Sequence, residues 1–417
     1  MIGIAWKSLC NRWPTAVLAM IAIAMSVALI LTVEKVRRDA RNSFTQTVSG
    51  TDLIVGARSG AVQLLLYSVF RVGNATNNIS WESVEHIQQR ANVDWTIPIS
   101  LGDSHRGFRV LGTNHDYFTH YRYGQKRALE FAQGERFDDV FDAVIGSQVA
   151  AELGYQLNDS MVVAHGTGNA ELVKHDNQPF RVSGILEPTG TPVDQAVHVS
   201  LQGIEAMHID WRNGTNVKGE GTSPEVIREM NLQPSAVTAL LVGLKSRATV
   251  FREQRSINTY REEPLLAVLP GVALTQLWSL VSVAEKALLI VSLCVVIAGL
   301  VNLVSVLLAG LNERRREMAV LRSAGARPGH VFLLLCIEST VLTIGGIAAG
   351  LLLHYLLTSL GAIYIQQRFG LDIGLSLPGT TDLKILSTIA VAGLFAGTLP
   401  ALQAYRKSLS DGLAQKL

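Results

Sequence analysis

The sequence predicts a membrane protein with four transmembrane α-helices and a large α+β extracytoplasmic domain inserted between the first and second helices. Three observations carry that prediction. Four apolar runs reach spanning length, a long polar interval separates the first two, and the short loops on one side are rich in arginine.

Composition agrees. Hydrophobic residues make up 48% of the 417 residues and charged residues 17%, against about 25% charged in an average soluble domain. The mean hydropathy is +0.27. Four spans of roughly 20 residues use about 80 to 100 residues, so the remainder is long enough for a water-soluble domain with its own core. A net charge of +2 argues against nucleic acid as the main partner. Cys10, Cys294 and Cys336 all fall in or beside apolar runs, so the polar interval has neither a disulfide framework nor a CxxC motif.

The first span is residues 14–33, PTAVLAMIAIAMSVALILTV, long enough at 1.5 Å per residue to cross about 30 Å of hydrocarbon. It is longer than a signal-peptide core and no small-residue cleavage site follows, so it reads as a retained helix. Residues 1–13 precede it as an amphipathic interfacial helix, with Ile2, Ile4, Ala5, Leu9 and Trp13 on one broad face. The second span is 287–311, with Asn302 as its strongly polar residue, and the third with its extension is 331–365, holding Glu338 and His354. The fourth is 385–402, where Gly393 and Gly397 form a small-xxx-small pair suited to close helix packing. Asn302, Glu338 and His354 read as helix-packing contacts rather than a polar conduit.

Orientation follows from the loops. Residues 312–330 carry Arg314, Arg315, Arg316, Arg322 and Arg327 against two glutamates, the tail 403–417 carries Arg406, Lys407 and Lys416, and the start carries Lys7 and Arg12. The positive-inside rule places all three in the cytoplasm, both termini included, and leaves the short loop 366–384 outside. The basic stretch EKVRRDAR at 34–41 falls outside and reads as the first helix continuing outward as a stalk.

The interval 34–286 has the pattern of a soluble α+β domain. TDLIVGA, FRVLGT, DAVIGS, FRVSGIL and VTALLVGL read as strands, with Gly56, Gly112, Gly146, Gly154 and Gly184 as turns at strand ends. Residues 80–92 and 223–230 read as helices, Ser80 capping the first and Glu82, Ser83, Glu85 and His86 lying on or near its solvent face. No G-x-S-x-G, H-E-x-x-H or DxDxDG pattern occurs, so no catalytic residue is assigned. Eight histidines (86, 105, 115, 120, 165, 175, 198 and 208) lack ligand spacing and read as scattered surface residues; no metal ligand is assigned.

The loop NERRREMAVLRSAGARPGH at 312–330 resembles the corresponding loop of the MacB-like and FtsX-like ABC transporter permeases, the type VII or mechanotransmission class. Arg315, Arg316, Glu317, Leu321, Arg322, Gly325 and Ala326 match the family sense R-R-E-x-x-x-L-R-x-x-G-A in order. The tail resembles the family's closing segment, a Pro-Ala-x-x-A turn leading into a basic helix, through Pro400, Ala401, Ala404 and Arg406. The segment TDLIVGARSGAVQLLLYSVFR resembles the opening of the outer domain in one branch of these permeases.

The resemblance covers the whole chain and implies a permease subunit in the bacterial inner membrane. It implies a discontinuous membrane-proximal lobe at about 42–110 plus 235–280 and a distal lobe at about 111–234. It also implies ATPase coupling by Arg315, Arg316, Glu317, Leu321, Arg322 and Gly325. The implied partners are an ABC ATPase subunit, a second permease copy or paralogue, the lipid bilayer, and a periplasmic adaptor or substrate-binding protein. No G-x-x-x-x-G-K-[ST] occurs in these residues, so ATP and Mg would be bound by the partner and the chain is expected to be a non-catalytic subunit with no cofactor of its own. Two alternatives remain open at this point: a regulatory coupler that activates a periplasmic hydrolase or sensor without transport, and a subunit of a metal-linked (zinc) transport system.

Overall fold

A computed structural model of the chain describes residue 3 and residues 11–47, 49–165, 173–174, 178–209, 211–212, 215–216, 222–313, 326–369 and 377–410. The chain forms two compact units. One contains residues up to Arg38, Ser282–Tyr364 and Ile373–Leu417; the other contains Asp39–Val281 with Ile365–Asp372.

The first unit is built on four helices long and apolar enough to cross a membrane. They belong to α1 (Trp13–Thr47), α9 (Pro270–Glu313), α10 (Pro328–Phe369) and α11 (Thr380–Ser410). α1 is the central one. Its residues Ala16, Ala19, Ile23, Val27 and Leu31 are buried against Val296, Leu303 and Leu307 of α9, Leu342 of α10 and Ile389 of α11. Trp13, Leu18, Ile21 and Met25 point outward. Both faces of α1 are apolar, as a lipid-embedded helix requires, so periodicity alone does not show which face packs. What selects the packed face is glycine on the neighbouring helices. A Cβ on Gly346 would meet Ile23, one on Gly350 would meet Val27 and the Ala24 carbonyl, and one on Gly299 would meet Ser26. Such positions let backbones approach closely where lipid provides no hydrophobic drive for association.

The second unit is an α+β domain whose main sheet runs β9-β1-β8-β2-β3-β7-β5-β6-β4, with three short strands off this path. The strands are β1 (Leu53–Ala57), β2 (Val93–His105), β3 (Phe108–Thr113), β4 (Phe131–Gly134), β5 (Asp142–Ile145), β6 (Phe180–Leu186), β7 (Ala196–Ser200), β8 (Ala239–Leu244) and β9 (Leu265–Val268). The helices between α1 and α9 are α2 (Ala61–Ser68), α3 (Trp81–Gln88), α4 (Asp116–His120), α5 (Ser147–Leu153), α6 (Leu201–His208), α7 (Pro224–Glu229) and α8 (Val250–Asn258). β2 is shared by two halves of the sheet. Its residues from Val93 to Ile99 pair antiparallel with β8, and those from Ser100 to His105 pair antiparallel with β3. β3–β7 and β5–β6 are parallel.

α2 covers one face, where Leu64, Leu65 and Tyr67 join Ile54, Ile97 and Leu241 of one half and Val144 and Leu186 of the other in a single core. α3 and α8 cover the opposite face of the β1 half through Val84, Ile87 and Ile257. α5, α6 and α7 cover the other half through Val149, Ala206, Met207 and Ile227.

Several sequence readings are corrected here. Gly56, Gly112 and Gly184 lie inside strands rather than at turns, because the space above each is taken by Leu64, by Ile204 and by the Glu135 carbonyl respectively. Gly146 instead caps α5, and Gly154 ends it in the left-handed conformation, φ 71°, the usual place for glycine past a helix. Ser80 does cap α3, accepting the Ser83 N–H. Ser83 itself is buried, not on the solvent face, because its hydroxyl donates to Glu263 of the segment before β9.

Among the described histidines of this domain, His105 and His198 are interior, not surface, residues, 3% and 0% exposed. His105 bonds the Val162 carbonyl through Nδ1 and Tyr155 Oη through Nε2, at 2.6 and 3.0 Å. His198 Nδ1 lies 3.2 Å from the Val144 carbonyl, and its Nε2 lies 3.4 Å from Arg71 Nη2. Burial holds the His198 imidazole well below its ordinary pKa, and the Arg71 charge pushes the same way.

Two expectations follow. His198 is neutral in the folded domain and titrates near 6.5 once unfolded, so its contribution is intact above pH 6.5 and declines below it, toward the depressed folded value. Stability is therefore lost as the pH falls below 6.5, because the unfolded chain takes up a proton there that the folded domain does not. The slope of stability against pH between 6.5 and 5.5, from denaturant melts, is shallower in His198→Gln than in the wild type. In the bundle, Gly350→Leu overpacks against Val27 and lowers stability by about 1–3 kcal/mol. Gly361→Leu, where a Cβ meets nothing within 4 Å, leaves thermal unfolding in detergent near the wild-type value.

Candidate functional site

The helical unit offers two polar ends. At one, α9 is described as far as Glu313 and α10 starts at Pro328. The residues proposed from sequence for ATPase coupling, Arg315, Arg316, Glu317, Leu321, Arg322 and Gly325, lie between them and outside the described residues, as does the amphipathic start of the chain. Their surroundings are defined. Arg12 at the start of α1 donates to the Gly310 carbonyl near the end of α9, at 2.9 Å. Val331 and Leu335 at the start of α10 pack with Ala401 and Ala404 near the end of α11. The start of α1, the end of α9, the start of α10 and the end of α11 therefore share one end of the bundle. Pro400, Ala401 and Ala404 sit inside the continuous helix α11, not in a turn, and the two alanines serve as a packing face against α10.

At the other end, α1 carries a polar stripe that sequence reasoning did not connect to the rest of the bundle. Thr32 Oγ1 bonds His354 Nδ1 of α10 at 2.9 Å. Glu34 and Lys35 are each 5% exposed, and Glu34 holds Arg37 one turn on, at 2.8 Å. Arg38 clasps Asp382 of α11, its Nη2 reaching Oδ1 at 2.8 Å and Oδ2 at 2.9 Å. Asp382 also accepts the Gly379 N–H, so one carboxylate caps α11 and ties it to α1. The signal available in sequence was Pro-Gly-Thr-Thr-Asp ahead of the fourth apolar run, a helix-start pattern; its partner, 344 residues away in the chain, carried no local signal.

Within the bundle, Gly393 and Gly397 face Thr343 and Ser339 of α10, and Ser339 Oγ donates to the Gly393 carbonyl at 2.9 Å. That glycine face is thus occupied inside the chain. Glu338 is buried beside Ser339, and Asn302 of α9 is half-buried. Ser26 of α1 donates to the Ala22 and Val295 carbonyls, tying α1 to α9. Among the described residues no three His, Cys, Asp or Glu side chains gather where a metal ion could be held.

Comparison with known proteins agrees with these features. The FtsX-like permease C-terminal model matches residues 289–409, and the MacB-like periplasmic core domain model matches residues 16–251, more than half of the chain. The macrolide export ATP-binding/permease protein MacB of Shewanella sp. (strain W3-18-1) is 21% identical over 410 residues, covering 95% of this chain and 57% of that protein. The protein of the same name from Bdellovibrio bacteriovorus is 24% identical over 414 residues, covering 93% of this chain and 57% of that protein. The chain thus spans a little over half the length of these relatives. The periplasmic region of MacB from Actinobacillus actinomycetemcomitans aligns at 10% identity with a TM-score of 0.35, over 55% of this chain and 94% of that one. With four spanning helices and a MacB-like domain inserted after the first, the chain belongs to the family of MacB-like and FtsX-like ABC permeases, as a multi-pass transmembrane subunit.

Proposed function

We propose that the chain couples ATP hydrolysis by a separate ABC ATPase to a conformational change in its extracytoplasmic domain, moving or extruding a substrate by mechanotransmission. The observation that carries this reading is the length and continuity of α1 and α9. They run 35 and 44 residues, about 50 and 65 Å, against about 30 Å of hydrocarbon. The surplus on each is continuous helix, suited to serve as a lever. The basic end of the bundle is the cytoplasmic end in this reading, by the positive-inside rule, with both termini on that side. Arg315, Arg316 and Arg322 pair there with acidic groups of the ATPase, Leu321 meets an apolar part of its groove, Glu317 shares in the coupling, and Gly325 permits the turn back into the membrane. ATP and Mg are bound by the partner, and no residue of this chain is given a catalytic role.

The working unit is a dimer of permease chains, since closed symmetric assemblies are the norm. The Gly393–Gly397 face is filled by α10, whereas α9 is the least buried of the four spanning helices, which favours α9, with α1 beside it, as the contact.

Leu321→Asp places a charge in the apolar part of the docking contact and costs on the order of 2–4 kcal/mol of ATPase binding. The mutant inserts and dimerises like wild type but fails to recruit or stimulate the ATPase, read by pull-down and by hydrolysis in nanodiscs. Wild-type recruitment by the mutant would reduce the loop to a topology signal. Light scattering of the ATPase-bound complex returns two permease chains; a single chain would remove the dimer.

A further inference from the structure

Arg71 follows α2 and adopts φ +58°, a left-handed conformation that L side chains seldom take. The turn sends its guanidinium inward to three different elements. Nη1 donates to the Pro192 carbonyl in the 3-10 turn before β7, Nη2 donates to Tyr117 Oη of α4 at 2.8 Å, and Nη2 meets His198 Nε2 of β7 at 3.4 Å. All three acceptors are neutral, and Arg71 Nε is buried with no hydrogen-bond partner. Among the described residues no ion pair explains a cation here; an apolar side chain would fill the space without the desolvation cost. What a guanidinium adds is a rigid planar fork that holds several groups in register at once. His198 suits that task, because its Nδ1 donates to the Val144 carbonyl, which leaves the Nε2 lone pair of the neutral ring for Arg71.

The residue before Arg71 reaches the other way. Phe70 packs on Phe44 of α1 with ring centroids 4.5 Å apart, and Phe44 stands edge-on to Trp278 of α9 at 5.7 Å. The outer part of α1 and the first turns of α9 therefore meet at Phe44, on which Phe70 packs. A second route closes the circuit: Tyr121 Oη donates to the Thr47 carbonyl at the end of α1, and its ring stacks on Tyr117 at 4.9 Å, whose hydroxyl accepts from Arg71.

We infer that Arg71 is a positioning residue that keys the outer ends of α1 and α9 to the half of the sheet containing β7, so that a displacement at Phe44 is carried through Phe70 and Arg71 to residues 192–200. The use of this link in a transport cycle rests on the lever reading above; the link itself is a property of the resting protein. Energetic coupling between groups in one contact network shows as non-additivity, and that is what separates a link from simple loss of packing.

The test is hydrogen exchange, read by mass spectrometry, on the full chain in nanodiscs. Phe44→Ala raises exchange across residues 192–200 by about threefold or more, the scale of coupling within one contact network. In an Arg71→Met background the same change adds nothing there, while α8 exchanges as in the wild type in every variant. Tyr117→Phe, which deletes only one acceptor, gives an intermediate response. Should Arg71→Met fail to fold, Arg71→Lys keeps the cation but not the fork and loses the coupling likewise. Unchanged exchange at 192–200 in Phe44→Ala, or equal increments in both backgrounds, overturns the link. Adding the ATPase and nucleotide separates the two ideas. A nucleotide-driven change at 192–200 that Arg71→Met abolishes, while the change at 39–47 persists, supports both. A wild type in which nucleotide alters neither segment sinks the lever, and the resting-state cycle then decides the link alone.

Discussion

The membrane unit depends on how closely three helices can approach α1. Lipid offers no hydrophobic reward for bringing apolar helices together, so contact has to come from dense packing and from polar groups that find partners across it. Gly299, Gly346 and Gly350 remove the side chains that would hold α9 and α10 away. Once the backbones are close, Ser26 can reach the Val295 carbonyl and Thr32 can reach His354. Glu34 and Lys35 are buried and the Arg38 charge is paired with Asp382, which makes these groups tolerable on a spanning helix. Close packing and polar satisfaction are therefore one constraint seen from two sides.

The inserted domain uses the same device in a different solvent. Gly56, Gly112 and Gly184 sit in mid-strand with a leucine, an isoleucine and a backbone carbonyl pressed against them. Their absent side chains bring α2, α6 and the Glu135 backbone down onto the sheet. Several interior carboxylates of the domain are bonded to named partners. Asp142 is buried and takes two backbone N–H groups and Arg181, and Asp194, whose pKa burial raises, is held by Thr189 and Gly190.

The fold class was legible in the sequence because it rests on run length and charge, two properties that do not depend on tertiary context. The strands DAVI and FRVSGIL were visible as β-rich runs, but the glycines inside or after them sent conflicting signals. A mid-strand glycine and a turn glycine look alike until the neighbour that needs the space is known. β2 was missed because VDWTIPISLGDSH holds a proline, a glycine and three acidic or histidine residues, a composition that reads as loop. Pro98 is tolerated there because β2 changes partners at Ser100. The ATPase-coupling residues were proposed from family spacing, and their structure lies outside what is described. Arg38–Asp382 and the Arg71 cluster were invisible for a plainer reason: each joins segments far apart in the chain, and single-sequence patterns report only near neighbours.

The shared strand β2 has a consequence for how the domain comes apart. A strand that contributes one end to each half of the sheet cannot lose its register on one side while keeping it on the other, except through the irregularity between Leu101 and Ser104. The core running from Ile54 to Leu186 is likewise common to both halves. Both features favour unfolding of the two halves of the sheet together rather than one at a time. In a segment inserted between the first and second membrane helices, opening either half of the sheet then uncovers the strand that serves the other, and with it backbone that a protease can reach.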